Sequence, residues 1–268
     1  MPFLTARGFD TYYERSGLGP RLVFLTGSGT TVDQSRPLVE PFVTSLDTVV
    51  FDYRGMGRSG GPPGPYGMAD CAADALSVMD SLGWDTARVI GVSFGGMVAQ
   101  ELAVTAPHRV ERLALLCTSP GGPGGSSYPL HQLDGLSPTE RAGVLPRLID
   151  TRFDDEWLAT HPGDRRLLDA LEGRTAGFDE AHRRAARAQL EARRHHDVWN
   201  RLPRITCPTF IACGRYDGIA PPANGAAIAT RIEGSRLHEY DGGHAFFVQD
   251  AQAVPDVLTF LAGAVAPG

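Results

Sequence analysis

The chain has 268 residues, of which 42% are hydrophobic and 21% charged, and its formal net charge is −6. That length suits one large domain or one domain carrying an insertion. The acidic balance offers no basic field to nucleic acid or to an acidic membrane face, and no apolar run approaches the roughly 20 residues that span a bilayer, so the expected partner is a small molecule.

The first residues, "MPFLTARGFDTYYERSG", lack the basic segment, long apolar core and small-residue cleavage site of a secretory signal. Cys71, Cys117, Cys207 and Cys213 show neither a CxxC pair nor metal-finger spacing. Both features lead to the expectation of a cytoplasmic protein with free thiols. "FDTYYE" and "RLVFLT" read as early strands, and "DTVVFDYRG" is a further short apolar run ending in polar and glycine residues. Between them "LTGSGTT" is a glycine-rich turn. A dinucleotide fingerprint would need glycine where Val32 stands, and a phosphate loop would need Gly-Lys-Ser/Thr, so neither nucleotide reading holds.

"DCAADALSVMDSLG" carries Cys71, Ala75, Leu76, Val78, Met79 and Leu82 at mostly helical spacing, with Gly83 placed to stop the helix. "ARVIGV" is expected as a strand, "FGGMVAQELAVTAPHRV" as a helix ended by Pro107, and "ERLALLCTS" as a strand. This alternation calls for β-α-β units and a mostly parallel sheet covered on both faces. The glycine and proline cluster at 120–129 then breaks the pattern. No strand-like run follows before about residue 203, and "DEAHRRAARAQLEARRHHDVW" places Ala181, Ala185, Ala188 and Ala192 on one face of an arginine-rich helix. Its arginines read as a solvated face, with binding of an acidic substrate as the alternative. The alternation resumes with "PTFIACGRYD", "NGAAIATRI", "SRLHEYDGGH" and "AVPDVLTFLAGAV". Residues 1–119 and 204–268 are therefore expected to build one core, with 120–203 inserted as a helical cap.

The sharpest chemical signal is Gly91-Val92-Ser93-Phe94-Gly95, set between an expected strand and an expected helix. A Gly-x-Ser-x-Gly turn in that context holds its serine in a strained conformation at the carboxyl edge of a sheet, where the following helix N-terminus favours negative charge. Serine is a poor nucleophile at neutral pH and needs a base, itself oriented by an acid. In this architecture the order is Ser, acid, His. Asp217 follows the strand in "CGRYDGIAPP", and His244 sits in the glycine-rich turn of "YDGGHAFF" after the next one. Asp217 could instead cap the segment after it, as turn aspartates do. Asp241 is better placed to shape the turn than to orient the ring. The remaining histidines, His108, His238 and the cap's His131, His161, His182, His195 and His196, read as surface or core, with contact of a cap histidine to substrate as the alternative. No ligand-spaced His/Cys/Glu cluster occurs, so no metal or other cofactor is expected.

Taken with "DYRGMGRS" at Asp52 to Ser59, "RYDGIAPP" and "GGHAFF", the sequence resembles an α/β-hydrolase fold serine hydrolase. It is similar in layout to the small esterase, lactonase and proline-iminopeptidase-like members with a helical cap. The resemblance implies a mostly parallel central sheet flanked by helices and a carboxylic ester or lactone as substrate. It implies an oxyanion hole of two backbone N–H groups, those of Ser28 and Phe94. Members of the family usually begin the first of these loops with His-Gly; here Thr26-Gly27 stands in that place. Ser93 at the elbow argues against epoxide hydrolases and haloalkane dehalogenases, which use aspartate there. Gly91-Val92-Ser93 departs from the Gly-Gly-Ser of proline iminopeptidases. Amidases, carbon-carbon bond hydrolases and perhydrolases share the triad and stay open, as does a non-enzymatic ligand-binding protein on this fold. Phe94, Met97, Phe246 and Phe247 are expected near an apolar cleft, with a core role as the competing reading of the aromatics. Oligomeric state is not legible from the sequence.

Overall fold

A computed structural model describes residues 3–62, 64–174 and 177–263. Its order is set by period-two patterning. In strands β1 (Phe3–Ala6), β2 (Phe9–Ser16), β3 (Arg21–Leu25), β4 (Asp47–Phe51), β5 (Ala87–Val92), β6 (Val110–Leu116), β7 (Thr209–Gly214) and β8 (Arg236–Tyr240), alternate residues point to opposite faces. Val23, Leu25, Val89, Leu113, Leu115 and Ile211 enter one hydrophobic cluster; Leu22, Phe24, Ile90, Ala114, Leu116 and Phe210 enter another on the opposite face. Every residue of β5 and β7 is buried, as a sheet covered on both sides requires.

The sheet order is β1-β2-β4-β3-β5-β6-β7-β8. The pairs β1/β2 and β2/β4 are antiparallel and the other five are parallel. Helices α1 (Val32–Val43) and α2 (Met68–Ser81) flank opposite faces: Val39 and Phe42 of α1 join the second cluster, while Cys71, Ala75, Val78 and Met79 of α2 join the first. Helix α3 (Phe94–Thr105) lies on the α2 side and is buried almost all round. It ends two residues before Pro107, consistent with the helix-breaking role expected of that residue.

Strand β1 and helix α1 escaped the sequence reading. Strand β1 is only four residues long, too short for an alternation to stand out. Helix α1 contains Pro37 and Pro41, which mask its apolar spacing, yet a capping box at Thr31 and Gln34 starts it.

After β6, the segment up to β7 holds helices α4 (Pro138–Ile149), α5 (Asp155–Thr160), α6 (Pro162–Gly173) and α7 (Glu180–Arg194), and none of the eight sheet strands lies within it. Leu133, Leu148, Ile149, Phe153, Leu158 and Leu168 form a small core with Ile219, which follows β7. Of the alanine face expected on α7, Ala185 and Ala192 are buried, Ala188 is half-buried and Ala181 is exposed; Gln189 and Arg193 share the buried side. The chain finishes with α8 (Pro222–Arg231), the short α9 (Phe246–Gln249) and α10 (Ala253–Ala262). Among the described residues no helix is long and apolar enough to cross a membrane. All four cysteines are unpaired.

Glycine is obligatory where β5 passes into α3. A Cβ on Gly95 would lie 2.1 Å from the Leu25 carbonyl oxygen and 2.6 Å from that of Thr26; one on Gly91 would lie 2.3 Å from the Gly95 carbonyl oxygen. These obstacles are backbone, which cannot rotate away. Gly95→Ala is therefore expected to cost about 3 kcal/mol or more, or to leave the protein insoluble, measured by denaturant unfolding.

Candidate active site

The site sits at the carboxyl ends of the parallel strands. Ser93, between β5 and α3, has φ +55° and ψ −113° and is one of three non-glycine residues with positive φ among those described. Such a conformation costs on the order of 1–3 kcal/mol and persists because its surroundings dictate it. Here the Ser93 amide donates to the Leu116 carbonyl at 2.8 Å, the Thr118 hydroxyl donates to the Ser93 carbonyl at 2.9 Å, and the Met97 amide donates to that same carbonyl at 3.3 Å. The hydroxyl is held at the head of a 12-residue helix.

Loops after β7 and β8 bring in the partners. His244 Nε2 lies 2.9 Å from Ser93 Oγ, and its Nδ1 lies 2.8 Å from Asp217 Oδ2. The tautomer that satisfies all three groups has Nδ1–H donating to the carboxylate while Nε2 accepts the serine proton. Asp217 is 3% exposed. Its other oxygen, Oδ1, accepts the amides of Ile219 and Ala220, both at 2.8 Å. The capping role and the ring-orienting geometry thus coexist on one carboxylate, because each uses a different oxygen. The His244 amide donates to the Ile149 carbonyl at the end of α4, at 2.6 Å. Asp241 is exposed and takes an ion pair from Arg152 at 2.9 Å, whereas the His244 Nδ1 is taken by Asp217.

The loop Thr26–Thr30 lies over the elbow: a Cβ built on Gly27 would sit 3.8 Å from Ser93 Cβ. Without a histidine at position 26, other groups brace it. The Tyr53 hydroxyl donates to the Thr26 carbonyl at 3.4 Å, the Thr30 amide donates to the Gly27 carbonyl at 3.3 Å, and the Arg174 guanidinium donates to the Thr30 hydroxyl. Gln189 of α7 accepts the Gly29 amide through Oε1 at 2.7 Å. Asp52, 1% exposed, accepts the amides of Val32 at 2.6 Å and Arg58 at 2.8 Å; burial pushes its carboxyl pKa up, and those two amides oppose that rise. Arg54 forms a bidentate pair with Asp74, both bonds 2.7 Å, and the Ser59 hydroxyl donates to the Asp52 carbonyl at 2.7 Å. "DYRGMGRS" therefore acts as a brace for the neighbouring loop.

The residues expected along a cleft divide. Met97, 2% exposed, borders a cavity of about 110 Å³ beneath α7. Phe94 is fully buried, its ring edge-on to Tyr53 with centroids 5.3 Å apart. Phe246 is placed in the core rather than in a cleft wall: it is fully buried and stacked on Tyr240 with centroids 5.2 Å apart, and Phe247 packs edge-on against it. The reason is geometric, since a turn of helix after His244 rotates these rings under the sheet. Among the described residues no group of three or more His, Cys, Asp or Glu side chains is arranged to hold a metal.

A family model described as the alpha/beta hydrolase fold matches residues 20–251. The chain belongs to the alpha/beta hydrolase fold family. It is similar to a hydrolase from Pseudomonas aeruginosa PA01 of known crystal structure, at 30% identity and a TM-score of 0.78, covering 97% of this chain and 98% of that one. It is also similar to the enol-lactonase from Burkholderia xenovorans LB400, at 26% identity and a TM-score of 0.79, covering 98% and 100%. A poly(3-hydroxyalkanoate) depolymerase of Ectopseudomonas oleovorans is 29% identical over 253 residues, which are 91% of this chain and 84% of that protein. The expected fold class, a mostly parallel sheet flanked by helices, is thereby confirmed.

Three cap residues touch this region: Gln189 and Arg193, which the sequence did not single out, and His196, one of the cap histidines read as surface or core. Together with Ala185 and Ala192 they recur at intervals of three and four, the signal of one helix face that continues one turn past α7. His196 is 6% exposed, and burial lowers its pKa from 6.5 to about 4. The nearby Glu101 opposes that fall, and Arg201 adds to it. The unfolded chain takes up this proton near pH 6.5 and the folded one only near pH 4, so the stability is complete above 6.5 and is lost as pH falls between those values. His196→Gln is expected to remove an acid-side loss of about 3 kcal/mol. Urea midpoints at pH 7 and 4.5 check this; parallel changes in the two proteins would contradict it.

Proposed function

We propose that this hydrolase is a cofactor-independent serine hydrolase that cleaves a small carboxylic ester or lactone through an acyl-enzyme. The observation that carries the reading is the unbroken hydrogen-bond relay from Ser93 Oγ through His244 to Asp217. In the first step Ser93 Oγ attacks the carbonyl carbon while its proton passes to His244 Nε2. Asp217 holds Nδ1–H and stabilises the imidazolium. The carbonyl oxygen becomes an oxyanion, held by the N–H groups of Ser28 and Phe94 at the positive end of α3. Collapse expels the alcohol, which takes the proton from His244. A water then repeats the sequence on the acyl-enzyme, giving the carboxylic acid and restoring the Ser93 hydroxyl.

Residues 120–203 serve as the cap that covers this site, the small core they share with Ile219 and the Gln189 contact to the oxyanion loop supporting that role. An enol-lactonase and a poly(3-hydroxyalkanoate) depolymerase among the similar proteins support the ester or lactone reading. The free cysteines fit a reducing cytoplasm. Turnover of p-nitrophenyl acetate, small lactones and aminoacyl amides tests the substrate class. Ester or lactone hydrolysis well above the uncatalysed rate is expected. A folded protein that hydrolyses only the amides would overturn the ester reading.

A further inference from the structure

The cavity beside Met97 is the place where the electrostatics are incomplete. Arg193, on the last turn of α7, is 7% exposed, lines this cavity, and has two guanidinium nitrogens, Nη1 and Nη2, buried with no hydrogen-bond partner among the described residues. Burial lowers its pKa to about 10, with Asp217 close enough to oppose the fall, so it stays charged at neutral pH. A desolvated guanidinium with two idle donors is costly unless a ligand supplies an acceptor.

The rest of the wall suits the same guest. His196 presents two buried ring nitrogens with no well-formed hydrogen bond and is neutral at pH 7. The Ser119 and Ser127 hydroxyls lie 2.7 Å apart on the wall. Among the described residues no carboxylate lines the cavity. The other arginine on its wall, Arg194, is half-exposed and already faces Glu191 at 3.5 Å. Met97, on the cavity wall, lies one helical turn beyond Ser93 and its amide donates to the Ser93 carbonyl, so the elbow helix links the cavity to the nucleophile. A volume of about 110 Å³ admits a group of a few heavy atoms, since a water occupies about 30 Å³ in the liquid.

We infer that Arg193 is the specificity-determining residue of an anion subsite, and that the substrate is an ester or lactone bearing a carboxylate a few carbons from the scissile carbonyl. The two idle nitrogens face the carboxylate in a bidentate pair, and the Ser119, Ser127 and His196 side chains complete its polar surroundings. Binding energy from this remote charge positions the carbonyl over Ser93. The inference rests on the serine-hydrolase reading for the chemistry, but the anion site can be measured without it.

Two experiments separate the readings. Calorimetric titration with glutarate should show saturable binding that 1,5-pentanediol does not reproduce, and Arg193→Met should weaken it about 50-fold, with Arg193→Lys intermediate because charge remains while the planar fork is lost. In parallel, kcat/KM for monomethyl glutarate relative to methyl butyrate should favour the anionic ester, and the ratio should fall about 50-fold in Arg193→Met, with folding checked by near-UV circular dichroism. Glutarate binding without ester turnover would keep the anion site and overturn the ester-hydrolase reading. Absence of glutarate binding to the unsubstituted protein, or a ratio that Arg193→Met leaves within threefold, would overturn the subsite.

Discussion

Ser93→Ala is expected to lower kcat for ester hydrolysis by at least about 10⁴-fold, with the fold intact. The hydroxyl is the only group on the elbow placed to attack a carbonyl and to give its proton to His244, 2.9 Å away. The backbone turn does not depend on it, because Gly91 and Gly95 and the Ser93 main-chain bonds set the conformation. Residual rate should come from the oxyanion donors and substrate binding alone. His244→Ala should lose about as much, and adding it to Ser93→Ala should cost almost nothing further, because residues that act as one unit are non-additive. Steady-state kinetics on purified variants give the result. A double variant slower than Ser93→Ala by the full His244 factor would show that the two side chains act independently.

Asp217→Asn should be nearly as damaging to the rate and much milder on stability. An asparagine can keep its carbonyl oxygen on the Ile219 and Ala220 amides, so the loop survives. The side that faced His244 would then carry an amide N–H, which can only donate. That forces the proton from Nδ1 to Nε2, the wrong tautomer for taking the serine proton, and a loss of about 10⁴-fold in kcat follows at neutral pH. Asp217→Ala would also strand two buried amides, at about 1–3 kcal/mol each. Asp241→Asn is the contrast: the exposed Asp241 is tied to Arg152, and a change of less than about threefold is expected. An Asp241→Asn defect as large as that of Asp217→Asn would reassign the acid.

The reading of the fold was carried by residues whose local chemistry is short-range. "ARVIGV" and "FGGMVAQELAV" declare a buried strand and a buried helix through composition alone, and the elbow glycines fix how they join. Asp217 and His244 were legible because each follows a strand within a few residues, so the sheet delivers them to one edge. Helix α1 was not, because Pro37 and Pro41 conceal the spacing that Val32, Val39 and Phe42 establish. Phe246 illustrates an opposite failure. Proximity in sequence to His244 suggested a cleft, while the turn of α9 places the ring against Tyr240.

Position 26 shows what long-range structure adds. The histidine expected before Gly27 is replaced by Thr26, and the bracing comes from residues far along the chain: Asp52, Tyr53, Arg174 and Gln189. No local pattern connects these residues: Asp52 and Tyr53 bond the loop from 20 and 27 positions away, and Arg174 and Gln189 from 144 and 160. Arg193 was concealed in the same way. In a helix with several arginines, the spacing that puts Gln189 and Arg193 beside Ala185 and Ala192 is visible only when polar residues are counted on the buried face too.

The most direct measurement of the proposed mechanism is intact-protein mass after treatment with a fluorophosphonate, followed by peptide mapping. An activated serine should gain one phosphonyl group on Ser93, and the Ser93→Ala protein should gain none. A folded chain that stays unlabelled, or that carries the label on another residue with Ser93 free, would contradict the mechanism.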